Sequence, residues 1–167
     1  MFNLHAVRLG VLVLGLSLLG AGAPLRAVEV SGSVELELRG FRHAAQHPGQ
    51  RDQSGSIAAQ PEFYLPWDDD RQSLLFTPFL RIDGSDDRRT HADIRELVYQ
   101  YVGERFELRV GLAKVFWGVT ESRHLVDIVN RADAVESLDL EDKLGQPMVK
   151  VARFTDYGEF SAYWLPY

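Results

Sequence analysis

The residues best suited to chemistry are concentrated in one segment. From Trp117 to Pro147 the chain reads WGVTESRHLVDIVNRADAVESLDLEDKLGQP. It carries Glu121, Asp127, Asp133, Glu136, Asp139, Glu141 and Asp142 against Arg123, Arg131 and Lys143, a net charge of −4. Carboxylates gathered beside a solute path attract cations and repel anions. His124 follows Ser122 by two positions, the residue types of a serine hydrolase. No nucleophile-elbow pattern surrounds them, and nearness in sequence is not triad geometry. Asp68-Asp69-Asp70 offers oxygen ligands but lacks the spacing and glycine of a calcium loop, so a charged turn is expected. His43 and His47 lie four apart inside a Pro/Gly/Gln-rich stretch, a weak metal signal. No catalytic residue, metal site or cofactor is expected, and the protein is not expected to be an enzyme.

These residues must be positioned by strands. Val28 to Phe41 alternates: Val30, Val34, Leu36 and Leu38 fall on one face, and Glu29, Ser31, Ser33, Glu35, Glu37 and Arg39 on the other. Ser73 to Asp83 sets Phe76, Leu80 and Ile82 against Thr77, Arg81 and Asp83. Asp93 to Val102 sets Leu97, Tyr99 and Tyr101 against Glu96, Val98 and Gln100. Phe106 to Phe116 sets Phe106, Leu108, Val110 and Leu112 against Glu107, Arg109, Gly111 and Ala113. Pro61 to Trp67, Met148 to Phe154 and Glu159 to Leu165 are weaker candidates, giving seven strands in all. The polar faces bring together Glu35, Glu37, Arg39, Arg81, Asp83, Glu96, Glu107, Arg109 and Lys114. Helical spacing of Leu125, Ile128, Val129 and Ala132 predicts a short helix from about Ser122.

The links between candidate strands alternate. Long stretches at 43–58, 84–92 and 117–147 interleave with short ones at 68–72, 103–105 and 155–158. Aromatic residues gather beside the short links: Phe63, Tyr64 and Trp67 at the first, Tyr99, Tyr101 and Phe106 at the second. Membrane barrels show both features, short turns on one side and aromatic girdles at the interfaces.

Arg8 precedes the apolar run Leu9 to Gly20, too short to span a bilayer and suited to a secretory signal. Cleavage is expected after Ala23 or Ala27. Loss of residues 1–27 removes two arginines and leaves 16 basic against 24 acidic residues, so the net charge falls from −6 to −8. That balance argues against nucleic acid as a partner. The chain has no cysteine, which removes thiol chemistry and disulfides. Beyond the leader no apolar run is long enough for a spanning helix, so entry into a membrane would require a closed barrel.

The leader, the alternating strands and the run Asp93 to Gly118 (DIRELVYQYVGERFELRVGLAKVFWG) resemble the porin-like outer-membrane barrels of Gram-negative bacteria. Leu112-Ala113 departs from the polar pair that follows the glycine in related strands. The resemblance implies an antiparallel transmembrane β-barrel over 28–167, its N-terminal portion, with an uneven strand count pointing to further strands. It implies passive passage of small hydrophilic solutes or ions across the outer membrane. It also implies that the third long link folds inward as a constriction. Alternatives are a filled structural or adhesive barrel and a soluble periplasmic β-sandwich. Lipid and small solutes or ions are the expected partners, and self-association stays open.

Overall fold

A computed structural model describes residues 28–41, 51–115, 130–133, 135–136 and 142–166. The expected leader, His43 and His47, and the helix from about Ser122 lie outside the described residues, except for the last position of that helix. Ala132 itself is extended and forms an isolated antiparallel bridge with Lys143. Among the described residues there is no α-helix, only a 3-10 turn at Asp87–Arg89.

The protein is an all-β, seven-stranded antiparallel sheet: β1 (Glu29–Gly40), β2 (Gln53–Trp67), β3 (Gln72–Asp83), β4 (His91–Val102), β5 (Phe106–Ala113), β6 (Gln146–Thr155) and β7 (Gly158–Trp164). Each strand pairs with its sequence neighbours, and β1 and β7 are the two edges, so the sheet is not closed. The strand β2 begins eight residues before Pro61, the expected start. The segment from Gln53 to Gln60 carries few bulky apolar residues, and pairing with β1 extends it where its own pattern is weak. The alternation of links survives: 41–52, 84–90 and 114–145 at one end, 68–71, 103–105 and 156–157 at the other.

Register joins the strand faces into two continuous surfaces. On one, Val34, Leu36 and Leu38 of β1 lie alongside Ile57, then Leu80 and Ile82 of β3, then Leu97, Val110 and Val151. These side chains are exposed, Leu38 at 55% and Ile82 at 53%. On the other, Glu37, Arg81 and Asp83 are buried at 6%, 4% and 5%. The usual distribution of a soluble protein is inverted. Aromatic rings collect on the apolar surface toward the short links, with Trp67 and Tyr99 6.0 Å apart and Tyr101 and Phe106 5.4 Å apart.

Two local irregularities shape the sheet. Pairing of β2 with β3 is interrupted between Ala59↔Leu80 and Phe63↔Phe76, where Pro61 and Pro78 fall opposite one another and neither can donate a backbone N–H. The β3–β4 register then shifts: Thr77 pairs with Glu96 but Pro78 with Ile94, leaving Arg95 as an extra residue in a β-bulge.

Candidate functional site

The bulge re-aims a charge. In an unbroken strand Arg95 would share the apolar face of Leu97. Instead it is 3% exposed on the polar face, with its guanidinium carbon 4.1 Å from the centroid of the Phe79 ring. His91 and Asp93, on the far side of the bulge, join the same face opposite Arg81 and Phe79. The polar surface near the long links thus collects His91, Asp93 and Arg95 beside the residues expected from the alternation. Sequence carried the signal: polar residues fall on odd positions through Arg95 and on even positions from Glu96, a change of phase within one strand.

The polar surface receives a segment of the longest link. Asp133 Oδ2 accepts from Arg95 Nη1 at 2.6 Å. Its Oδ1 accepts from the backbone N–H of Val135 at 3.0 Å and of Glu136 at 3.3 Å, shaping a turn that presents Glu136 to the sheet. Glu136 Oε2 lies 2.6 Å from Arg81 Nη2. Arg81 also reaches Glu37 at 3.1 Å, donates to Ser56 Oγ at 2.7 Å, and stands 4.0 Å from Glu35. Glu37 holds Arg39, and Arg89 spans Glu37 at 3.1 Å and Asp83 at 2.9 Å. One connected network therefore runs from β1 through β2, β3 and β4 to the link.

The base of the link is also fixed. Asn130 Oδ1 accepts from the Val115 backbone at 2.9 Å, and its amide donates to Leu144 at 3.1 Å, tying the outgoing and returning chain together. Asp133 and Asp142 share a backbone bond of 2.8 Å. Gly145 passes so close to the bulge that a Cβ there would stand 2.3 Å from the Arg95 carbonyl oxygen. The link returns directly over the bulge.

Electrostatics follow from this packing. Burial raises the Asp133 carboxyl, but the Arg95 hydrogen bond, the Val135 and Glu136 backbone N–H groups and the Arg95 charge outweigh it, holding the acid below its ordinary 3.8. At the opposite end of the sheet, Gln72 and Arg71 hold Asp68 below its ordinary value. Asp68, Asp69 and Asp70 occupy the left-handed region at φ 55°, 54° and 64°, so the three aspartates form a tight turn.

Of the expected constriction residues, Asp133 and Glu136 are buried against the sheet, and Arg131 and Asp142 are exposed. Lys143 and Asp142 line a cleft with Arg81, Arg95, Lys114 and Glu136. Glu121, Arg123, His124, Asp127, Asp139 and Glu141 lie outside the described residues. The expected polar-face residues Glu35, Glu37, Arg39, Arg81, Asp83, Glu96, Glu107 and Arg109 share one face, and Lys114 follows β5 directly, its backbone N–H bonded to Glu96 at 3.1 Å. Apart from Glu96 and Lys114, they divide into two groups. The first is the network already described. The second, toward the short links, places Arg109 opposite Lys150, which reaches Glu107 at 3.7 Å and Glu159 at 3.5 Å. Between them lies an apolar layer of Val98, Ala113 and Met148, with Leu75, Val115, Tyr163 and Leu165 against it. Period-two reading marked Val98, Gly111 and Ala113 as polar-face positions without revealing that they pack as a layer.

No family model, curated protein or solved structure matches the chain. The porin-like resemblance rests on the chain's own residues.

Proposed function

We propose that this sheet is part of the wall of an outer-membrane β-barrel, with its apolar surface in lipid and its charged surface toward the interior. The observation that carries this reading is the inversion of the two faces. Large aliphatic side chains are exposed along the sheet, while Glu37, Arg81, Asp83 and Arg95 are buried opposite them. Charge on a lipid-facing strand position costs roughly 2–4 kcal/mol at the bilayer midplane, which favours this partition. An aromatic band at the short-link end suits an interface. In lipid the β1 and β7 edges need strand partners, because unpaired backbone groups are costly there.

Within such a barrel the link 114–145 narrows the interior and passes small hydrophilic solutes or ions through the remaining space. Its attachment by Asp133 and Glu136 supports a fixed constriction. Planar-bilayer recording tests this: single-channel steps with cation preference are expected, and the preference falls when Asp142 becomes Asn. Absence of conductance would eliminate the channel. A filled barrel is the second reading, favoured by the apolar layer around Val98 and Met148 on the inner face. It retains lipid insertion without conductance, so the same recording separates the two.

A further inference from the structure

The apolar face of the sheet carries a single charge. Among the described residues, the strand positions in register with Val34, Leu80 and Val110 are uncharged from β1 to β7, except for Arg153. Alternation puts it there, because Val149, Val151 and Arg153 stand two apart on β6 and share a face. Its cross-strand partners are Phe106 on β5 and Phe160 on β7. Arg153 is exposed, and the two phenylalanines beside it are 45% and 65% exposed.

This row is the last one toward the short links that spans β5, β6 and β7. Toward the middle of the sheet the next row is Leu108, Val151 and Ala162, and every member is apolar. A lipid-facing arginine is costly at the bilayer midplane and nearly free at the interface. Aromatic rings favour the same level, and the Tyr101 ring stands 5.4 Å from that of Phe106. The acids that follow Phe106 and precede Phe160 in sequence do not serve Arg153. Glu107 and Glu159 turn to the polar face and pair there with Lys150. Gln72, a polar side chain at the same rim, is already engaged, donating to Asp68 and accepting from the Tyr99 hydroxyl. The guanidinium keeps its donors for a ligand on the outer surface.

We propose that Arg153, between Phe106 and Phe160, binds the headgroup phosphate of a membrane phospholipid whose acyl chains lie over the Val151 and Val149 rows. The planar fork of an arginine matches phosphate oxygens and can hold two of them at once. A free phosphate ion would gain the cation alone. A phospholipid gains the cation and the apolar rows together, so the lipid is the occupant. The site rests on the reading that the apolar face meets lipid, and adds to it one specific contact. In such barrels short links mark the periplasmic side, which assigns the lipid to that leaflet.

Native mass spectrometry of the full chain in detergent, titrated with phosphatidylglycerol, tests the site. Arg153 is exposed, so its replacement leaves the packing intact. Arg153→Gln should weaken the tightest lipid about fivefold, the worth of one basic residue at an anionic membrane surface. Arg153→Lys should recover part of that loss, since it keeps the charge without the fork. Arg71→Gln, in the β2–β3 turn at the same end of the sheet, should bind as the parent does. Diacylglycerol has the chains without the phosphate, and inorganic phosphate lacks the chains, so neither should depend on Arg153. Equal binding by the parent and Arg153→Gln, an equal loss with Arg71→Gln, or inorganic phosphate held through Arg153 would overturn the site. Flotation of the parent with phosphatidylglycerol vesicles separates the two readings. A chain that floats while Arg153→Gln binds lipid unchanged loses the site alone, and one that does not float loses the lipid-facing surface with it.

Discussion

Arg81 and Arg95 each hold one carboxylate of the long link against the sheet, and each is nearly inaccessible. Removing one partner of a buried pair leaves the other uncompensated, at a cost of about 3–5 kcal/mol. Arg81→Leu strands Glu37 and Glu136 together, so urea unfolding in detergent should show a loss in that range. Replacing an exposed pair such as Arg71–Asp68 should change almost nothing. Asp133 adds a pH dependence. Its carboxyl is lowered in the folded state, so its contribution is complete above the unfolded value and is lost as pH falls through the folded one. Unfolding followed from pH 6 downward should therefore show a stability loss below about pH 4 that Asp133→Asn lacks. The individual charges of this site were legible in sequence, but their partners were not. Glu136 and Arg81 are 55 residues apart, and nothing local records that distance.

At the scale of elements, alternation located β1, β3, β4 and β5, where apolar and polar side chains follow period two, while β2, β6 and β7 showed only as weaker or shorter runs. It failed where the period breaks. The bulge at Arg95 reverses the phase of β4, and a single fixed period across Asp93 to Val102 assigns Arg95 to the apolar side. Two adjacent charged residues in an otherwise alternating strand were the available mark of it. The strand β2 was read short because Ser, Gly and Ala give little alternation, while its pairing with β1 is set by the partner strand. Gly111 marks another local demand. Its φ is +137°, and a Cβ would stand 2.0 Å from the Leu97 carbonyl oxygen. Gly111→Ala should separate β4 from β5 and cost at least the roughly 1–3 kcal/mol of a strained backbone position, read by thermal or urea unfolding. Ala113→Gly, with ordinary geometry on the same strand, serves as the comparison.

At the scale of the whole molecule, the two faces of the sheet ask for two solvents. Val34, Leu36 and Leu38 are more exposed than Glu37 between them, and the same inversion repeats in β3 between Ile82 and its neighbours Arg81 and Asp83. The sheet class and its face pattern were readable because both are local. The partners of the buried charges and the docking of Asp133 and Glu136 on the sheet are set by distant contacts and were not. In lipid, Ile82→Lys should destabilise by about 2–4 kcal/mol, whereas on a water-facing surface the same change would be near neutral. The absence of cysteine permits a direct reading of the two faces. Single cysteines placed at Leu36, Ile82 and Val110, and at Ser33, Gln60 and Glu107, can be challenged in outer membranes of an expressing Gram-negative cell with a water-soluble thiol reagent. The first three should be protected until detergent is added, and the second three should react. Equal labelling of both sets, or recovery of the chain as a monomer in detergent-free buffer, would contradict the assignment of the apolar face to lipid.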